Sequence, residues 1–119
     1  MASGPHHESE RARKERIAHN ESTFREVNEL MPAWPGITTV EKPLFDYVCE
    51  CGDRDCHERV RLTAEAYEAV RADSRRFIVV PGHEKPDAET VIERYADYAV
   101  IRKDAEVGPI VDRRDPRSR

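Results

Sequence analysis

Apolar positions along this chain come in short bursts between long polar runs, and most bursts have a readable period. From about Glu8 to Met31 there is no Gly or Pro, and Glu, Arg, Lys and Ala dominate. That composition predicts a helix over residues 8–31, stopped by Pro32 and then by Pro35-Gly36. Ile17, Phe24, Val27 and Met31 recur at helical spacing and fall on one stripe, which Arg13 and Asn20 share. The first half of the helix has almost nothing to bury, whereas the second half can dock. A polar half of this kind is either solvated or a handle for a partner, through a short coiled-coil contact for example. Residues 32–43 carry Pro32, Pro35, Gly36 and Pro43 and read as an extended connector, with Trp34 expected to cap the core.

From Leu44 to Cys51 the chain alternates, with Phe45, Tyr47, Cys49 and Cys51 facing one way and Asp46 and Glu50 the other. That is a strand. Gly52 and Asp53 turn the chain, and Val60 and Leu62, alternating with Arg59 and Arg61, read as the returning strand. Thr63 caps a short helix from Ala64 to about Ala72, with Ala66, Tyr67 and Val70 inward. Phe77 to Val80 is a continuous apolar run, expected at the sheet centre. Residues 90–103 admit a helix, but the β-branched pairs Val91-Ile92 and Val100-Ile101 flank a plausible turn at Tyr95-Ala96-Asp97-Tyr98, so a hairpin is preferred. Residues 1–7 are expected to be a disordered tail and residues 107–119 a charged one. The elements together predict an α+β fold: the N-terminal helix (8–31), then one small domain (32–106) with an antiparallel sheet of four or five strands and one short helix.

Composition changes the picture in one respect. Of 119 residues, 38% are apolar and 37% charged, which is thin material for a core, so a staple such as a structural metal is expected. The formal charge of −4 offers no general field for nucleic acid. No apolar run approaches the length of a membrane span, and the opening residues lack the apolar core of a signal peptide. A cytoplasmic, reducing location is therefore expected, where clustered cysteines point to metal or redox chemistry rather than disulfides.

All three cysteines fall within Cys49-Glu50-Cys51-Gly52-Asp53-Arg54-Asp55-Cys56. A Cys-x-Cys at a strand end can reach one ion if the chain turns at Gly52, and Cys56 closes the loop. Thiolate and imidazole ligands suit a tetrahedral, structural Zn2+, with iron the other candidate. Among five histidines, His6 and His7 lie in the tail and His19 on the first helix, off its apolar stripe. His57 adjoins Cys56, and neighbouring side chains rarely both reach one ion. His83, on the Pro81-Gly82-His83-Glu84 turn at the mouth of an apolar strand, is the favoured fourth ligand.

Phe24-Arg25-Glu26-Val27-Asn28-Glu29, Cys49-Glu50-Cys51 through Cys56, Arg75-Arg76-Phe77, Pro81-Gly82-His83-Glu84 and Asp115-Pro116-Arg117 together resemble a family of small, largely uncharacterised proteins of high-GC Gram-positive bacteria. The likeness spans nearly the whole chain. It implies a cytoplasmic bacterial protein in which Cys49, Cys51, Cys56 and His83 form the shared polar cluster, and a family in which the position of His57 is not a histidine. It implies no particular activity.

A catalytic zinc keeps one position open for water, with a general base nearby. Glu50 and Glu84 adjoin proposed ligands, but three thiolates make a poor Lewis acid, and no deaminase, zincin, nucleophile-elbow or phosphate-loop motif is present. Both carboxylates are expected to be solvated, with Glu84 orienting His83. The expectation is a non-enzymatic regulatory or adaptor module that engages a larger cytoplasmic complex, through its N-terminal helix or its tails. Two alternatives stand beside it. One is a thiol-based redox or zinc-release switch, with Arg54 and Arg59 favouring thiolate. The other is a zinc-dependent nucleic-acid binder, with Arg75-Arg76 beside Phe77 as its best local basic site.

Overall fold

A computed structural model describes residues 8–30 and 44–118. The expectations for residues 1–7 and for the 32–43 connector, with Trp34 and Met31, lie outside the described residues. Helix α1 spans Glu10–Glu29, and the Ser9 side chain accepts the Ala12 N–H at 3.0 Å, satisfying one of the free donors of its first turn. Strands β1 (Leu44–Val48) and β2 (Arg59–Thr63) form one antiparallel pair. Thr63 then caps α2 (Ala64–Arg71), as its position before an apolar-periodic run implies. Strands β3 (Arg76–Val79), β4 (Glu89–Arg94) and β5 (Ala99–Lys103) form a second antiparallel sheet, in the order β3-β5-β4. Helix α3 (Gly108–Arg113) and a 3-10 turn (Pro116–Ser118) follow. The architecture is α+β, and the 90–103 region is the hairpin, turning between Arg94 and Ala99.

Four expectations are corrected. First, there are two small sheets rather than one. After Val48 the chain bends away from β2 to lie along β3, where Glu50 N–H donates to Ile78 O at 2.8 Å. The cysteine loop is therefore the seam between the sheets. Second, β3 is an edge strand and β5 the central one. Phe77, Ile78 and Val79 are nonetheless fully buried, because the 49–50 segment lies along β3 and the Arg25 guanidinium stacks 4.4 Å from the Phe77 ring.

Third, the docked stripe of α1 is rotated from the one its apolar residues define. The buried positions are Ile17, Ala18, Glu21, Ser22, Arg25 and Asn28, whereas Val27 is 47% exposed and Phe24 half-buried. This helix docks mainly by polar side chains that find partners in the loops. Its first half is held too, by ion pairs of Arg13 with Asp87 and Lys14 with Glu106. Such surface pairs contribute roughly 0–1 kcal/mol each, so the burial of Ile17 and Ala18 carries more of the docking.

Fourth, residues 107–118 fold onto the body instead of trailing from it as a charged tail. Val107 and Val111, one turn apart, are buried. Asp112, Arg114, Asp115 and Arg117 of the segment meet opposite charges elsewhere in the chain. Asp115 pairs with the buried Arg71 at 2.5 Å, Arg75 with Asp112 at 3.0 Å, and Arg117 with Glu29 and Glu68. Arg25 closes the arrangement, donating from Nη2 to Val111 O at 2.9 Å and from Nη1 to Ser74 O. Composition alone does not show that these charges are matched in space.

Beneath α1 lies a buried ionic cluster. Lys103 Nζ is 2.8 Å from Glu21 Oε1 and 3.1 Å from Glu89 Oε1, and all three side chains are inaccessible. Burial and the neighbouring Glu89 push the Glu21 carboxyl well above its usual range, against the opposing pull of Lys103. Lys103 is itself held up by the two carboxylates, which outweigh its own desolvation. Folding thus makes Glu21 harder to ionise than it is in the unfolded chain. Its contribution to stability is full below the ordinary Glu range and is lost as pH rises through and beyond it. Glu21→Gln mimics the protonated form and is expected to be neutral or stabilising at pH 7, with a flatter stability profile above pH about 4.5. Lys103→Met leaves a buried carboxylate uncompensated and is expected to cost about 3–5 kcal/mol. Urea midpoints of both variants from pH 4 to 8 check this.

Candidate metal centre

Three stretches converge on one point. Cys49 and Cys51 leave the end of β1, Cys56 follows a turn in which its N–H donates to Asp53 O at 3.0 Å, and His83 stands on the turn after β3. That second turn needs Gly82, whose φ of 94° places it in the left-handed region open to glycine. Its geometry is closed by His83 N–H donating to Val80 O at 2.9 Å.

The ligand atoms of Cys49, Cys51, Cys56 and His83 all lie within 4.8 Å of one another. Cys49 Sγ is 3.6 Å and Cys56 Sγ 3.5 Å from His83 Nδ1. Zinc–sulfur and zinc–nitrogen bonds of about 2.3 and 2.05 Å at a tetrahedral angle require a sulfur–nitrogen edge of about 3.6 Å. The cluster thus has the spacing of a tetrahedral thiolate–imidazole site, with Nδ1 as the imidazole donor. His57 is exposed and stands outside the cluster. The three cysteines form no disulfide.

The thiols are not equivalent. Cys49 and Cys51 are each 1% exposed, whereas Cys56 and His83 reach the surface. Hydrogen bonding with Cys49 pulls the Cys51 thiol down to about 5, and the same contact together with burial holds Cys49 well above the usual thiol range. Burial pushes Cys56 up.

Glu50 is the largest departure from expectation. Placed between two ligands on an alternating strand, it reads as solvated, yet it is fully buried. Its Oε2 accepts from Asn28 Nδ2 at 2.8 Å and Tyr67 O–H at 3.0 Å, and its Oε1 accepts from Ile78 N–H at 3.0 Å. Burial raises its pKa, and the three donors together with Arg25 oppose that shift. Through this single carboxyl, α1, α2 and β3 all hold the Cys-x-Cys backbone. Asn28 adds two bonds to Val48, accepting its N–H at 2.8 Å and donating to its carbonyl at 2.9 Å. Asn20 Nδ2 donates to Gly52 O at 3.0 Å. Glu84 does not meet the role expected for it. Its Oε1 accepts from Gly82 N–H at 2.9 Å and its Oε2 faces Arg94, so it braces the turn rather than the imidazole.

Sequence reasoning singled out the four residues that the structure brings together and missed Glu50, Asn28, Asn20 and Tyr67, which brace the loop between them. No family model, curated protein or solved structure matches the chain.

Two substitutions test this support. Gly52 packs against Ile17 so closely that an added Cβ would overlap its Cγ2. Gly52→Ala is expected to destabilise by about 1–3 kcal/mol, and by less in an Ile17→Ala background, where the overlapping Cγ2 is gone. Asn28→Ala strands the Val48 N–H and removes one donor from Glu50, an expected loss of about 2 kcal/mol. Thermal unfolding of both variants beside the parent protein measures this.

Proposed function

We propose that the chain is a non-enzymatic, zinc-stapled regulatory or adaptor module of the bacterial cytoplasm. One observation carries the metal reading: three thiols and an imidazole, drawn from separate parts of the chain, spaced for one tetrahedral ion. Zn2+ is the ion favoured by that donor set, and four protein ligands close its coordination shell, which is the pattern of a structural rather than a catalytic site. Binding energy at such a site becomes folding energy, and a chain with so small a core needs it.

The adaptor reading is supported by what α1 presents outward. Val27 and Leu30, 47% and 83% exposed, form an apolar end to an otherwise polar face. The nucleic-acid reading has weaker support, since Arg75 is engaged by Asp112 and Arg76 lies 3.7 Å from Asp73. No helix among the described residues is long and apolar enough to cross a membrane.

Purified protein is expected to carry about one zinc per chain by elemental analysis. Zinc affinity should fall steeply with acidification, as protons reclaim the thiolates. Cys51→Ser should resemble chelator-stripped protein in its unfolding curve; a variant with unchanged stability and no metal would refute the staple. For the adaptor role, native-lysate capture by wild type is expected to be lost in Val27→Glu/Leu30→Glu.

A further inference from the structure

We infer that this site has a second chemistry: a peroxide-class oxidant enters at Cys56, joins it to Cys51, and expels the ion. The inference rests on the metal reading above and concerns the regulation of that site. Its basis is the lopsided burial of the ligands. Cys49 and Cys51 are sealed inside, while Cys56 is the one sulfur at the surface, flanked by the exposed Asp53, Arg54, Asp55 and His57. Metal-bound cysteine is thiolate, the nucleophilic form, so exposure decides which sulfur meets a small oxidant first.

Geometry also selects the second sulfur. Cys49 is anchored: its Sγ accepts the Val80 N–H at 3.2 Å and its own N–H donates to Glu58 O at 3.1 Å. A Cys49–Cys51 bridge would also span a single residue, which disulfide geometry strongly disfavours. Beside its hydrogen bond with Cys49, Cys51 Sγ makes a long contact, 3.9 Å, to Asp53 O, on the turn that leads to Cys56. Four residues separate it from Cys56, and three of them, Asp53 to Asp55, have exposed side chains. The turn that carries them can therefore close without disturbing the core.

The steps balance. The Cys56 thiolate attacks one peroxide oxygen, the O–O bond breaks, and a sulfenic acid and a hydroxide result. The Cys51 thiolate then attacks the Cys56 sulfur, forming S–S and expelling a second hydroxide. Two thiolates have lost two electrons, peroxide has gained them, and two protons from solvent turn the hydroxides into water. Cys49 and His83 remain as two donors where a stable site requires four, so the ion leaves.

The test uses the full chain, its zinc content measured first, then exposed to hydrogen peroxide with a chromogenic chelator present. Free thiols are afterwards alkylated and the peptides mapped by mass. The expected result is release of about one ion per chain with a Cys51–Cys56 bridge and an alkylated Cys49. Dithiothreitol and fresh Zn2+ should restore the starting species. Retention of the ion at peroxide levels that oxidise a free cysteine peptide overturns the inference and leaves the metal reading standing. Release with a bridge involving Cys49, or with sulfinic acid and no bridge, overturns the inference too. A chain that holds no ion before treatment overturns the metal reading, and the inference with it.

Discussion

A buried carboxylate must find donors or stay protonated, and the position of Glu50 makes that requirement an organising constraint. It sits between two cysteines, inside the molecule, and its two oxygens accept from α1, α2 and β3 at once. Each donor comes from a different element, so none of the three can shift without leaving the carboxyl short of a partner. Desolvation makes such a shortfall costly. The ligand loop thus rests on a polar network that belongs to the body of the protein, and its shape is set before any ion is considered.

The same logic extends along α1. A helix with few apolar residues still docks, because Glu21, Arg25 and Asn28 reach partners on the sheets and loops. Arg25 contacts the Phe77 ring and two backbone carbonyls, linking the helix to both β3 and α3. Arg71 and Asp115 tie the end of the chain to α2. Buried charge pairs of this kind are seldom stronger than apolar packing, but they are far more selective about geometry. In a chain with little oily surface, that selectivity substitutes for a large core, and the proposed zinc completes what the polar contacts begin.

The two halves of the metal cluster serve different ends in this reading. Cys49 and Cys51 are built into the seam between the sheets, whereas Cys56 and His83 stand on turns at the surface. A staple whose inner half is fixed and whose outer half is accessible can hold the fold and still respond to its surroundings. The thiol-switch alternative thereby becomes a property of the proposed structural site rather than its competitor.

Local pattern determined much of this. The alternation at Leu44–Val48, the Thr63 cap, the hairpin at residues 89–103 and the grouping of Cys49, Cys51, Cys56 and His83 are all legible, because each depends on spacing within a few residues or on the chemistry of the residue type. Tertiary structure alone decided which face of α1 docks, that Glu50 is buried, that β5 rather than β3 is central, and that residues 107–118 fold back onto the body. In each of these cases the outcome turns on a polar or apolar partner supplied from elsewhere in the chain. Glu50 awaits Asn28, Tyr67 and Ile78; Asp115 awaits Arg71. A charged residue looks the same in sequence whether water or a distant arginine will satisfy it, and only the folded arrangement distinguishes the two.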